Sequence, residues 1–533
     1  MNIDDMEGLD EETRKEIEGL QKVTREKDGG EAFTEAQLKI FSTSYSNEDY
    51  SLGYEALSKI KETDNKISYY LAQINLALIE KDIVNSVYKA SERLIKLYEN
   101  KEFEPISKVV LKGGFLSVED VMFKFGSELI NKEEYKEALK LFNSLGASYS
   151  YENYCLIKIC MLFLEENTKK IAKYFLDSLR HVLIIQDNLI VDCSHENKYE
   201  RKLAHYTSTV VANVLLTNPE NNKNLFRLNT IYNVNDPSEG SLLTSYLKEK
   251  KDNFEKNVDL DVDYHAFLSC FTFNHDSLNQ FRLYGKENNK EASGVSLVFN
   301  KSFFLDRNIY SKYRKLLNDP INIINIEKTK DVNFNLLTDK TDDNNIDKQN
   351  VFRCMYLNAK NDYIHLAQRN KITFYNEFED KNEAQKHWEE YTKYVDSKKE
   401  VVITSLDKLK TNFNSLNEQY RILNINYSRI IDELNSIADE ILLPLKYLVK
   451  HSAFQEEQEC RIVYITSLKN ENIRMEFGKF LYVEYEPEVK AHLDKIYIAP
   501  AATQYQPYLA KLLCDTNVKI ELSNNPFRLS TSY

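Results

Sequence analysis

The chain has 533 residues, more than one hydrophobic core usually holds, so at least two domains are expected. Its net charge of −13, from 70 Lys and Arg against 83 Asp and Glu, excludes the broad cationic surface of a non-specific nucleic-acid grip, leaving only a local basic groove open. Seven cysteines, odd in number and without CxxC or zinc-like spacing to His, exclude a disulfide framework and read as reduced core thiols, with no metal expected.

The opening residues 1–20 are acidic and polar, unlike a secretory or transit leader, and no run of about 18 apolar residues follows. A cytoplasmic protein without membrane contact is the expectation. Residues 1–33 read as a mobile or loosely helical acidic head ending at Asp28-Gly29-Gly30. From 34 to 200 apolar residues recur at helical spacing with almost no Pro, and helix pairs fit Tyr69 to Leu78 and Val84 to Leu97. Phe125-Gly126, then Ala138 and Phe142, match the small-residue and aromatic positions of a tetratricopeptide repeat, and EEYKEALKLF fits its second helix. A TPR-like helical repeat is expected here, with an irregular helical bundle as the alternative. Either offers a surface for a protein partner rather than chemistry.

After 200 the pattern changes. FLSCFTF, GVSLVFN, RIVYITS, KFLYVEY, KIYIAP and VKIELS are strand-like runs separated by helices and polar loops. The fold class expected is therefore α+β multidomain, with residues 201–533 forming the mixed unit. The polar run 329–350 reads as a loop. A helical insertion is expected at about 375–450. Within it Leu406, Leu409, Phe413, Leu416, Tyr420, Leu423, Tyr427, Ile430, Leu434, Ile437 and Ile441 alternate spacings of three and four, a coiled-coil-like seam of about 50 Å. Pro444 should break or kink it. Aromatics in the seam leave an antiparallel hairpin, packing across the repeat half and homo-oligomerisation all open.

Five short signatures follow in order: His205-Tyr206-Thr207-Ser208; Asn235-Asp236-Pro237-Ser238-Glu239; Leu268-Ser269-Cys270-Phe271-Thr272 with Phe281-Arg282-Leu283-Tyr284-Gly285; Phe454 to Arg461, which includes Glu456, Glu457 and Glu459; and Ser523-Asn524-Asn525-Pro526-Phe527-Arg528. Their order over about 200–310 and 450–530 resembles the bacterial 2971-type domain of unknown function. The chain departs from that pattern with Cys270 and Thr272 in the middle strand and Phe281 where Trp is usual, which weakens any hydroxyl-based role there. The layout in turn resembles the ADP-ribosyltransferase superfamily, with His-x-Thr on a first strand, a Ser, Tyr or Phe strand in the middle and a late E-x-E.

That resemblance implies an ADP-ribosyltransferase-like domain that uses NAD as substrate, displaces nicotinamide and passes ADP-ribose to a macromolecular acceptor. It implies Glu459, Glu457 and His205 as catalytic residues. It further implies that His205, Tyr206, Thr207, Ser269, Phe271, Tyr284, Arg282 and Arg461 hold NAD. The chemistry suits these types: loss of nicotinamide is oxocarbenium-like, so a carboxylate beside the ribose stabilises the developing charge. On a strand Glu457, Glu459 and Arg461 share a face and Glu456 points away. Two carboxylates can then divide ribose and acceptor, with Arg461 keeping them ionised.

Each residue also has a plainer reading. Glu457, Glu459 and Arg461 fit an ion-pair ladder on an exposed strand, and His205 fits a strand-end hydrogen bond. Asn235 to Glu239 fits a turn into a helix, FRLYG a packed core with a Gly turn, and Ser523 to Arg528 a C-terminal tie. Cys270 near His275 or His265 lacks an orienting carboxylate for thiol catalysis. A non-catalytic scaffold and a nucleic-acid-processing enzyme are the alternative functions. No GxxxxGK[ST], GxGxxG or HExxH occurs, which disfavours NTPase, dinucleotide-fold dehydrogenase and zinc-protease readings. By analogy, a repeat region attached to such a domain suggests a toxin or antiviral defence effector.

Overall fold

The computed structural model describes residues 11–46, 49–61, 109–111, 114–116, 118–146, 150–194, 197–217, 225–231, 240–247, 264–286, 290–305, 346–358, 362–423, 428–477 and 480–527, with isolated positions elsewhere. The signature at Asn235–Glu239, Arg528, most of the 329–350 run and the helix expected at Val84–Leu97 lie outside these residues. The chain is mixed α/β and divides into two compact units, whose boundary in the described chain falls between Ala172 and Lys173.

The first unit is largely helical. Helices span Glu11–Gln21, Arg25–Ser46, Tyr50–Ser58, Val118–Asn131, Tyr135–Leu145 and Tyr151–Phe163. The expected end of the head at Gly29 is a kink within the second helix, where Gly29 takes φ +85°. One departure from the all-helical expectation is a small antiparallel hairpin, β1 (Val109–Leu111) with β2 (Gly114–Leu116). Val109, Val110 and Phe115 favour a pleated strand, and the helical periodicity read across 34–200 was too coarse to isolate them.

The helix pair 118–131 and 135–145 packs through the residues singled out in the sequence. Ala138 and Phe142 are fully buried, and a Cβ added at Gly126 would lie 2.4 Å from the Phe142 ring. The second helix closes on Gly146 (φ +79°), and the buried Asn153 amide donates to the carbonyls of Phe142 and Gly146. Gly126→Val gains a few tenths of a kcal/mol of helix propensity and loses about 1–3 kcal/mol to overpacking. We expect net destabilisation of about 1–2 kcal/mol in urea unfolding of the full chain, partly recovered by adding Phe142→Leu. An unchanged midpoint in the single variant would show that the two helices do not meet here.

The second unit is built on a ten-stranded mixed sheet. Its strands are β3 (Leu203–Thr207), β4 (Phe226–Thr230), β5 (His265–Thr272), β6 (Val295–Phe299), β7 (Val351–Arg353), β11 (Glu459–Thr466), β12 (Ile473–Glu476), β13 (Phe480–Tyr485), β14 (Leu493–Ile498) and β15 (Lys519–Leu522). Their order is β12-β13-β4-β5-β3-β6-β14-β15, with β11 along the other edge of β5 and β7 beyond it. Neighbours are antiparallel except β14 with β15. All six strand-like runs of the sequence form strands. The shorter segments VFR, MYLN and YIHL were missed because three or four residues carry too little alternation to be read.

A three-stranded sheet lies beside the main one: β8 (Met355–Asn358) pairs β9 (Tyr363–Leu366) antiparallel and β10 (Val449–His451) parallel. Two segments pass from one sheet to the other side by side. β7 continues into β8 through Cys354 alone, and β10 reaches β11 through a 3₁₀ turn, Ser452–Glu457. The Cys354 N–H donates to the Glu459 carbonyl at 2.9 Å, stitching the two crossings together.

The inserted seam is carried by two helices, Lys381–Leu423 and Ser428–Lys446, rather than one. Leu406, Leu409, Phe413, Leu416, Leu434, Ile437 and Ile441 are buried, so these seam positions are covered within the chain, while Tyr427 lies outside the described residues. The Asn412 amide donates to Asp177 (2.9 Å) and Ser178 (3.3 Å) on the helix Lys169–Leu189. Pro444 does not stop its helix, which runs on to Lys446.

Candidate active site

The crossing between the two sheets places an ionic cluster. The Lys450 ammonium, at the centre of β10, donates to Glu457 Oε2 and Glu459 Oε2, each at 2.6 Å. Arg461 Nε donates to Glu459 Oε1 at 2.7 Å, and another guanidinium nitrogen to the Tyr447 carbonyl. The Tyr284 hydroxyl donates to Glu457 Oε1 at 2.9 Å. Lys450, Glu457, Glu459 and Arg461 are 4%, 8%, 6% and 1% exposed, so these charges are held by one another rather than by water. An ion-pair ladder on an exposed strand is therefore not what forms: β11 is flanked by β5 and β7, and its charges point inward.

The two carboxylates do not converge by strand alternation, as the sequence spacing suggested. Glu457 ends the 3₁₀ turn, Gln458 takes a left-handed conformation (φ +46°), and only Glu459 belongs to the strand. The Gln458 side chain supports that corner by donating to the Gln455 carbonyl (2.6 Å) and accepting from the Gln368 N–H (2.7 Å). A non-glycine residue held at positive φ costs stability and persists where its surroundings enforce it. Thr272 fixes the same corner, its hydroxyl donating to the Glu457 carbonyl at 2.6 Å. The Glu459 N–H donates to the buried Tyr356 hydroxyl at 2.8 Å.

Burial sets the two carboxylates apart. It pushes both upward, but at Glu459 the Arg461 guanidinium and Lys450 ammonium outweigh it, and the carboxyl titrates far below its usual range. At Glu457 burial dominates over Lys450, and the carboxyl is raised. The Cys270 thiol hydrogen-bonds Glu459, and burial drives it well up, so it stays protonated. His275 is no partner for it, since its ring nitrogen meets the Lys202 carbonyl at 2.7 Å.

Register decides which expected residues join the cluster. Glu459 pairs with Thr272, Arg461 with Cys270, and Ala204 with Thr272, so these share one face together with Tyr206. His205, Thr207, Ser269 and Phe271 project to the other face. His205 instead marks a fork. β3 pairs with β5 only at Ala204–Thr272, β4 takes over at Leu268, and the His205 ring meets the intervening Cys270 carbonyl at 2.8 Å. It packs against Phe226 (5.0 Å) and Phe271 (5.7 Å) in an aromatic core that includes Phe299 and Phe303. Tyr206 shares the Glu459 face but is occupied: its hydroxyl donates to the Asn274 carbonyl and accepts from the Ser277 N–H, and its ring packs on Phe281.

A cleft of about 310 Å³ opens on the outer side of Glu457. Phe454 and Glu456 come from the 3₁₀ turn, Leu283 and Arg282 from the helix Leu278–Leu283, and Lys286 from beyond it. Phe454 and Leu283 are 37% and 52% exposed. Arg282 is paired with Glu291 at 2.8 Å. The closing motif braces this wall: the Ser523 hydroxyl and Asn525 amide donate to Asp276 at 2.6 and 2.7 Å, just before the helix. Of the expected site residues, the structure brings together Glu457, Glu459, Arg461 and Tyr284, with Arg282 across the cleft. Lys450 and Tyr356 were missed. The one signal for Lys450 was a lysine directly after the apolar run Tyr447-Leu448-Val449, shortly before the carboxylates.

No family model matches the chain, and no curated protein or solved structure matches it at a significant level. Among the described residues no group of His, Cys, Asp and Glu is arranged to hold a metal ion, and no helix is long and apolar enough to cross a membrane.

The titrations predict acid lability. Burial lowers His205, His275 and His365 below 6.5, His365 to about 4 with help from Lys399. Below pH 6.5 the unfolded chain binds protons that the folded one refuses, so stability falls as pH falls. Glu459, held low, extends the loss below pH 4.5, while the raised Glu457 works oppositely above 4.5. With three histidines against one glutamate, stability should decline from pH 6.5 towards 5, and His365→Gln should flatten the slope. A flat urea midpoint over that interval would contradict the assignment.

Proposed function

We propose that the second unit is an ADP-ribosyltransferase-like enzyme that cleaves NAD, releases nicotinamide and transfers ADP-ribose to a macromolecular acceptor. The observation that carries this reading is the placement of Glu457, a buried carboxylate bonded to Tyr284 and Lys450 at the wall of an aromatic-edged cleft of mixed charge. The order of signatures resembling the 2971-type domain and the ADP-ribosyltransferase layout supports it.

Phe454 and Leu283 offer apolar surface for a nicotinamide ring, and Lys286 offers charge for a diphosphate, with Arg282 joining it only by leaving Glu291. Leaving of nicotinamide puts positive charge on the ribose, and a carboxylate fixed in place beside it stabilises that charge in its ionised form. Glu457 has that role in this reading, Tyr284 orients it, and Glu459 and Arg461 complete the charge balance behind it. His205, Thr207, Ser269 and Phe271 shape the fork and core rather than touching NAD.

The first unit, read as TPR-like, would recruit or restrain through a protein partner, as in a cytoplasmic toxin or antiviral defence effector. One observation favours a non-catalytic scaffold instead: the four charges neutralise one another and are buried.

The test is nicotinamide release from labelled NAD by the full-length protein, offered protein and nucleic-acid acceptors. Glu457→Gln should lower release by about 100-fold or more, with KM changed far less than kcat. No release from the wild type with any acceptor, or equal release from the variant, would favour the scaffold.

A further inference from the structure

We propose that Lys450 is the positioning residue of this site: bridging Glu457 and Glu459, its ammonium keeps Glu457 ionised and held at the cleft wall. This rests on reading Glu457 as the carboxylate that serves the cleft. The resemblance that suggested the carboxylates assigns no lysine to the segment before them.

With all four groups ionised, Lys450 and Arg461 balance Glu457 and Glu459. Arg461 is committed to Glu459, through Nε at 2.7 Å, and to the Tyr447 carbonyl. Among the described residues, Lys450 is therefore the cation that forms an ion pair with Glu457. Its 2.6 Å bonds to both carboxylates fix their separation as well as their charge. Lys450 is itself held in β10 between those acids and the Phe454 ring, 5.1 Å away, and cannot swing to solvent without vacating both bonds.

Among the described residues, the groups facing Glu457 come from several elements. Tyr284 comes from the end of the helix Leu278–Leu283, Glu459 and Arg461 from β11, and Tyr356 from β8. Cys270 of β5 reaches the pair through Glu459. Glu456 stands beside it in the turn, and Arg282, Lys286 and Glu291 line the cleft. Arg282 is paired with Glu291. Counted over the described residues, removing the Lys450 charge leaves the cluster at net −1. Glu459 keeps Arg461, so the proton needed to restore neutrality goes to Glu457, whose carboxyl burial already raises.

The experiment is a carboxyl ¹³C titration of the full-length protein, with Glu457 assigned by its missing signal in Glu457→Gln. Lys450→Met should raise the Glu457 midpoint by about one unit or more, a tenfold gain in proton affinity, and Lys450→Arg should hold it near the wild-type value. An unmoved midpoint in Lys450→Met overturns the proposal. If that variant does not fold, the wild type answers through Lys450 itself. Its ¹⁵Nζ resonance should step at the Glu457 midpoint, and a flat response overturns the proposal. No substrate is needed, so the two readings fail separately: a shifted midpoint without nicotinamide release sinks the NAD reading alone, and release with an unmoved midpoint sinks the Lys450 role alone.

Discussion

One ammonium group between two carboxylates organises the second unit. Two buried carboxylates this close repel each other and are costly to desolvate, and they are tolerated because Lys450 and Arg461 enter the same space with matching charge. That requirement reaches well beyond the four side chains. Lys450 must arrive on β10, the acids on the turn and on β11, and the two sheets must meet so that these ends coincide. The left-handed Gln458 follows from it, because a regular strand from Glu457 to Arg461 would aim both acids from one continuous surface. The bend lets Glu457 face the cleft while Glu459 stays inside.

The same crossing accounts for the asymmetry between the acids. Glu459 has two cations, a thiol and a backbone bond to Tyr356, and is fixed as an anion. Glu457 has one cation and one phenol and lies at the cleft wall. A group with fewer partners and a neighbouring opening is the one able to respond to a ligand. The fork at His205 serves a different end: it closes the gap where β3 gives way to β4, and its ring belongs to the aromatic core rather than to the cleft.

Much of the fold was legible along the chain. Gly126, Ala138 and Phe142 identified a close helix pair because a small residue and a ring at fixed spacing leave one way to pack. The six strand-like runs were readable for the same local reason, whereas β4, with Arg227 and Asn229 between its buried residues, was not. The three-stranded sheet was not, because its strands are too short to show a period. Glu457, Glu459, Arg461 and Tyr284 were identifiable as residue types in order. His205 was placed with them by motif order, which carries no information about which face of a strand a residue occupies.

What the sequence alone determined is therefore local: two kinds of secondary-structure pattern, the long buried seam, and a short run rich in carboxylates ahead of Arg461. Those features depend on neighbours within a few residues, where periodicity and propensity act. Tertiary structure decided which carboxylate meets the cleft, which cation neutralises it, and that His205 faces away. Such outcomes turn on register between strands whose paired residues, Ala204 with Thr272 and Thr272 with Glu459, lie 68 and 187 positions apart, and on one residue at positive φ. A shift of one position in either would exchange the faces.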